Sequence, residues 1–215
     1  MISFAFMQES NGKQQYIISG IGTDVGKTVV SAIFAEALHA IYWKPVQAGD
    51  LEVSDSIKIS RLTDNAKVCE EKFRLSQPMS PHAAATIDGV SIRLEDFVLP
   101  DVSEALIVEG AGGLMVPINN DGLTYLDVFE QWKLPVILVS KHYLGSINHT
   151  LLSIAALKSK NIPIEGIVFV GEENEATESI IMKIGEVKMI TRIPWTDQVS
   201  KEFILAQAEK LRKQL

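Results

Sequence analysis

The chain of 215 residues has a single cysteine, Cys69. That excludes an intramolecular disulfide framework and any thiolate metal cluster within one chain, and the plain expectation is a reducing compartment, the cytoplasm. Basic residues are in the minority, 20 Lys and Arg against 27 Asp and Glu, which leaves a net charge of −7. A balance of that sign argues against a non-specific nucleic-acid or anionic-membrane surface, while a local basic pocket for phosphates stays open. Long apolar runs are lacking as well. No stretch approaches the roughly 18 apolar residues of a membrane span, and the opening MISFAFMQESNGKQQ has neither the basic start nor the apolar length of a secretory leader. Residues 1–14 are expected to form a loose extension, and residues 15–215 a single domain.

What is present is an ordinary core-forming composition, 47% hydrophobic and 22% charged, which sets aside disordered and fibrous classes. Short runs rich in Ile and Val alternate with stretches of helical spacing. Strands are expected at Tyr16–Ser19, Ile41–Lys44, Ala105–Val108, Pro135–Ser140, Gly166–Val170 and Met189–Ile193. Helices are expected at about 27–39, 54–63, 124–132, 146–159, 175–185 and 199–213. Runs such as ALIV and VILVS are continuously apolar, as in strands covered on both faces. The repeated strand–helix order predicts an α/β fold, a mostly parallel sheet flanked by helices, with ligands beyond the carboxyl ends of the strands.

The first strand runs into GIGTDVGKTVV, Gly20 to Val30. Gly20 and Gly26 bracket a loop, and Lys27 and Thr28 open a helix, so backbone amides and the positive helix end converge where a phosphate would lie. In that role Lys27 reaches terminal phosphate oxygens and the Thr28 hydroxyl coordinates Mg²⁺. Five residues separate the two glycines, one more than in G-x-x-x-x-G-K-[ST], and position 21 is Ile. A plain glycine turn is the alternative.

Other segments are ambiguous taken singly. In ALIVEGAGG, Glu109 follows four apolar residues that would carry it to the ligand edge, and Gly110, Gly112 and Gly113 would let backbone approach a ligand; a bland turn fits equally well. Beside the phosphate loop, Glu109 becomes a metal carboxylate. YWKPVQAG puts Lys44 at the end of the second strand, where a solvated surface lysine is the commoner role. Asp55 in VSDSIKI reads equally as a cap or first-turn carboxylate favoured by the helix dipole, or as part of the site.

Together these segments resemble the dethiobiotin synthetases, ATP-dependent enzymes of biotin biosynthesis with a phosphate-loop NTPase fold. The resemblance runs in order through GIGTDVGKT, KPVQAG, SDS, SPHAAA, VEGAGGLMVP, LPVILVS, LGSINHTLLS and RIPW, from about Tyr16 to Trp195. It implies ring closure of 7,8-diaminopelargonic acid with CO₂ and ATP, through a carbamate and a carbamic–phosphoric anhydride, to give dethiobiotin, ADP and phosphate. It implies that Lys44 holds the carbamate, that Lys27 serves the phosphates, and that Thr28, Asp55 and Glu109 hold Mg²⁺. It assigns Asp24, Val25, Gly26, Lys27, Thr28, Val29, Asp55, Glu109, Gly110, Ala111, Gly112, Pro194, Trp195 and Thr196 to the nucleotide and its metal. Thr23, Lys44 and Ala48 fall to the substrate, together with Gly145, Ser146, Ile147 and Asn148, whose amides would receive its carboxylate from the neighbouring subunit of a homodimer. No nucleic acid or membrane is implied.

Ser80 and Pro81 read as a cap and a first helical residue, and His82 as structural. Three departures from the family pattern stand out: Ala48 where serine or threonine is common, Ile21–Gly22 in the phosphate loop, and Val170–Glu172 where a base-reading asparagine often follows the fifth strand, with Asn174 further on. The competing expectations are an amide ligase sharing the nucleotide half, a dimeric switch ATPase, and a nucleotide-binding module without turnover. Switch ATPases often carry a further lysine early in the loop, and residues 20–25 contain none.

Overall fold

The computed structural model describes residues 14–214. Residues 1–13, most of the expected extension, lie outside them, and Gln14 already meets the sheet: its carbonyl accepts from the Leu106 amide at 2.9 Å. In chain order the elements are β1 (Gln15–Gly20), α1 (Lys27–Leu38), β2 (Ile41–Trp43), β3 (Val46–Ala48), α2 (Asp55–Leu62), β4 (Lys67–Val68), β5 (Phe73–Leu75), α3 (Pro81–Asp88), β6 (Leu106–Gly113), α4 (Tyr125–Trp132), β7 (Val136–Lys141), α5 (Ser146–Ser159), β8 (Ile164–Val170), α6 (Glu175–Gly185), β9 (Met189–Ile193) and α7 (Lys201–Arg212). Short 3₁₀ turns occupy Leu51–Val53 and Leu94–Asp96.

Seven strands form one sheet in the order β4-β2-β6-β1-β7-β8-β9, and every pairing within it is parallel. Alternation along β1 shows why its run had to be continuously apolar. Tyr16 and Ile18 face α1 and α7 through Ile33, Phe34, Ile204 and Leu211, while Ile17 faces the opposite layer with Tyr125, Phe129 and Trp132 of α4. α5 and α6 extend that second layer through Ile154 and Ile181 against Leu138, Ile167 and Phe169. Both sheet faces are therefore dry, as a parallel sheet requires.

The connection leaving β1 leads to β2 on one side of β6, and the connection leaving β6 leads to β7 on the other side of β1. A crevice opens where such paths diverge, at the carboxyl ends of the strands. The phosphate loop and Glu109 both reach that edge.

One reading needs correction. The glycine segment after Glu109 is not a free turn: β6 runs on to Gly113, which sits opposite Gly20 across an irregular register, with Gly112 in the left-handed region at φ +68°. Gly110 is buried there, and a Cβ on it would stand 2.9 Å from Phe129 Cζ, so this glycine answers to the core beneath the strand. In addition, Val46–Ala48 and Phe73–Leu75 pair as a separate two-stranded parallel sheet. Each is only three residues long, too short for periodicity to reveal.

Candidate active site

The loop between β1 and α1 turns on Gly26, whose φ of +95° suits a residue without Cβ. α1 starts at Lys27 with no side-chain cap on its first amides, so those amides point outward from the sheet edge. The Lys27 side chain curls back over the loop, its Nζ donating to the Gly22 carbonyl at 2.7 Å. Burial holds the Lys27 ammonium below its ordinary pKa, against the raising pull of Glu109. A cation so desolvated gains most from an incoming anion.

Glu109 is fully buried at the meeting point of three elements. Its Oε1 accepts from the Thr28 hydroxyl at 3.0 Å, and its Oε2 from the Tyr42 hydroxyl at 2.9 Å. Burial first, then the Glu109 charge, push the Tyr42 phenol well above its ordinary pKa, so it stays a donor. Lys44, one residue beyond β2, places its ammonium between two carboxylates: it pairs with Asp55 Oδ2 and lies 3.5 Å from Glu109 Oε1. Burial alone would lower the Lys44 pKa, but the Glu109 and Asp55 charges outweigh it and raise it, so the group is a fixed cation. The same pairing, opposing burial, draws Asp55 below the usual carboxylate range.

Asp55 is a first-turn carboxylate of α2 and not its cap. Ser54 holds that position, its Oγ accepting from the Ile57 amide at 3.4 Å, which frees the Asp55 carboxylate for Lys44 and for Lys58, 3.0 Å from Oδ1. Ser80 does stand at the N-cap of α3, followed by Pro81, but its hydroxyl meets His82 Nδ1 rather than a helix amide. His82 is thus held in a local structural contact.

A cavity of about 800 Å³ collects most of the expected site. Thr23, Asp24, Gly26, Lys27, Thr28, Val29, Lys44, Ala48, Asp55, Glu109, Ala111, Gly112, Pro194, Trp195 and Thr196 all line it. One part of its wall is apolar, formed by Val170, Ile193, Pro194, Trp195, Val199 and Phe203. There Lys141 Nζ lies 3.6 Å from the centre of the Trp195 ring, a cation–π contact on a half-exposed indole.

Other expected residues fall elsewhere. The Val25 side chain is buried in the layer under α1, leaving only its backbone to face a ligand, and Gly110 turns toward Phe129. Gly145, Ser146, Ile147 and Asn148 open α5 outside this cavity; Gly145, Ile147 and Asn148 are exposed and Ser146 is buried.

Several lining or supporting residues went unrecognised in the sequence. Tyr42 sits inside an apolar run, and only the β2–β6 register, which sets Tyr42 opposite Ile107, brings its hydroxyl to Glu109. Gln47, inside the quoted KPVQAG, accepts from the Asp55 amide at 3.3 Å and donates to the Gly49 carbonyl at 2.8 Å. Asp50, Lys58 and the Pro78–Pro81 segment complete the rim. A glutamine following a strand-end lysine was the available signal for Gln47.

A family model described as "AAA domain" matches residues 14–203. The ATP-dependent dethiobiotin synthetase BioD of Christiangramia forsetii is 53% identical over 208 residues, covering 94% of this chain and 98% of that protein. The BioD of Brucella melitensis is 46% identical, covering 86% and 88%. Among solved structures, a ParA family ATPase from Chlorobium tepidum superposes with a TM-score of 0.58 at 15% identity, covering 93% of each chain. The septum site-determining protein MinD of Pyrococcus horikoshii, complexed with Mg-ADP, gives 0.57 at 16%, covering 93% of this chain and 88% of that one. At such identities the structural likeness shows the fold, a phosphate-loop NTPase sheet. With a curated relative more than half identical across nearly the whole length of both proteins, the chain belongs to the ATP-dependent dethiobiotin synthetase family.

Proposed function

We propose that this protein closes the urea ring of dethiobiotin, consuming 7,8-diaminopelargonic acid, CO₂ and ATP. The observation that carries the proposal is the Lys44 ammonium, buried beside the phosphate loop and flanked by Asp55 and Glu109 in the cavity that also holds Lys27 and Thr28. CO₂ adds to one substrate amine, which loses a proton, and the resulting carbamate oxygen attacks the γ-phosphorus of ATP, releasing ADP. The second amine then attacks the activated carbon and expels phosphate. Charge moves from carbamate to transferring phosphoryl in this sequence, and the buried Lys44 cation would stabilise it. No protein nucleophile is required.

Mg²⁺ fits the donor set. Thr28 Oγ1 and Glu109 Oε1 are 3.0 Å apart, and the Asp55 carboxylate reaches the same ammonium as Glu109, so three hard oxygen donors face one space. Bound there, the ion would neutralise charge on the β- and γ-phosphates. Thr28, Asp55 and Glu109 would hold it, and Lys27 the phosphates. Asp24, Gly26 and Val29 would border the phosphate chain, and the apolar part with Pro194, Trp195 and Thr196 would take the base, because a planar aromatic ligand suits an indole and aliphatic walls.

Thr23 and Ala48 would border the diamine. Gly145–Asn148 lie outside their own chain's cavity, so the proposal gives them the substrate carboxylate of a second copy, in a homodimer with the substrate between subunits. Among the described residues no helix is long and apolar enough to cross a membrane, and the proposal puts the enzyme in the cytoplasm. The test is ADP release with Mg²⁺, ATP and bicarbonate, with and without the diamine, beside mass detection of dethiobiotin. Diamine-dependent ADP with the matching product is expected. ADP release indifferent to the diamine would replace the proposal with a switch ATPase.

A further inference from the structure

Glu178 lies on α6, remote in sequence from every motif of the phosphate loop, and no step above uses it. Its side chain is nonetheless buried, at 4% exposure, with partners from three different strand ends. His142, the first residue after β7, brings Nε2 to 2.9 Å from Oε1. Asn174, in the loop after β8, donates its amide to the same oxygen at 3.5 Å. Arg192, within β9, donates through Nε at 2.9 Å and Nη2 at 2.5 Å, one bond to each oxygen. His142 is held further by stacking on Phe169, with 5.4 Å between centroids, and Arg192 by Glu173 at 3.4 Å.

These three points share what they lead to. His142 follows Lys141, whose ammonium lies on the Trp195 ring. The His142 amide donates to the Val170 carbonyl at 3.3 Å, and the Gly171 amide to the Ile193 carbonyl at 3.0 Å. Arg192 directly precedes Ile193, Pro194 and Trp195. The ties therefore converge on the segments that form the apolar part of the cavity wall.

We propose that Glu178 is a positioning residue for the nucleobase, a single buried carboxylate that fixes the chain after β7, β8 and β9 and through it the Val170, Pro194 and Trp195 wall. This rests on the base occupying that part of the cavity, as proposed above. Charge-assisted bonds to a buried carboxylate are strong and directional, so the one from His142 and the two from Arg192 set the spacing of the wall more tightly than apolar contacts would. A wall held in advance spares the nucleotide the cost of ordering it.

The test compares Glu178→Gln with the unaltered enzyme in three readings: the Kd of a fluorescent ADP analogue, the KM for ATP against kcat, and competition by inorganic tripolyphosphate, which has no base. We expect the analogue Kd and the ATP KM to rise about tenfold, the scale of one lost charge-assisted bond. The loss falls on KM, and tripolyphosphate competes as well as before. A folded variant with unchanged analogue Kd, or one that weakens tripolyphosphate equally, overturns the role. Should Glu178→Gln fail to fold, Arg192→Lys breaks the paired contact from β9 and is read by the same criteria. Absence of diamine-dependent turnover alongside a base-dependent change in Kd would overturn the proposed reaction and leave the positioning role standing.

Discussion

Thr28 and Glu109, 81 positions apart, meet through a 3.0 Å hydrogen bond at the carboxyl edge of the sheet. The bond joins the first turn of α1 to β6, and Tyr42 closes it from β2 on the other carboxylate oxygen at 2.9 Å. Removing that second donor strands a buried acceptor. Tyr42→Phe should cost about 1–3 kcal/mol of stability. At this chain length each kcal/mol lowers Tm by about 2–4 °C, which calorimetry reads directly.

Lys44→Ala is expected to lower turnover by about 10²–10³-fold, the usual loss when one preorganised charge leaves a reacting centre. Nucleotide binding should persist, because Lys27 and the loop amides are untouched. Single-turnover kinetics beside an equilibrium binding assay separates the two. Turnover at the normal rate would remove Lys44 from the mechanism.

Lys27→Ala should behave differently, weakening nucleotide binding and turnover together. Its ammonium is a desolvated cation at the phosphate loop. Titration with a labelled nucleotide decides the matter, and equal affinity would assign Lys27 to the Gly22 contact alone.

Gly110→Ala separates a core role from a ligand role. The new methyl would stand 2.9 Å from Phe129 Cζ, an overpacking of about 1–3 kcal/mol. Tm should fall while nucleotide affinity holds. The reverse pattern would return Gly110 to the nucleotide site.

Acid stability should depend on Glu36. Burial would raise its pKa, but hydrogen bonds from the Asn65 amide and side chain and the Asp64 amide outweigh it and hold the carboxyl below its ordinary 4.5. The native state thus binds fewer protons than the unfolded chain, so this stabilisation is present above pH 4.5 and is lost as pH falls through the native value. Glu36→Gln should therefore be destabilised at neutral pH and approach the parent in acid. A constant difference from pH 7 to pH 3 would contradict it.

Most of the sheet was legible because a strand covered on both faces needs an unbroken apolar run, as in Tyr16–Ile18 and Val136–Val139. Lys27, Thr28 and Lys44 were legible because each follows a strand end or opens a helix at the edge where parallel sheets bind ligands, and Glu109 because an unbroken apolar run leads up to it. What escaped depends on pairing between distant segments. Tyr42 reaches Glu109 only through the β2–β6 register, and Gly110 is required by Phe129, 19 positions on. The β3–β5 pair and the Glu178 ties also join residues whose local sequence gives no hint of partnership.

The placement of Glu109 within a strand, instead of on a loop, bears on how this chain can vary in length. Leu106, Ile107 and Val108 are locked to Gln15, Tyr16 and Ile17 on one side, and to Ile41, Tyr42 and Trp43 on the other. Losing one residue from that stretch would turn every later side chain to the opposite face and carry the carboxylate away from Thr28. The connection between α3 and β6, by contrast, can gain or lose residues on the surface without moving the carboxylate. Insertions and deletions compatible with activity should thus gather in the exposed parts of 89–104, away from the buried Ile92 and Phe97, and avoid 106–109.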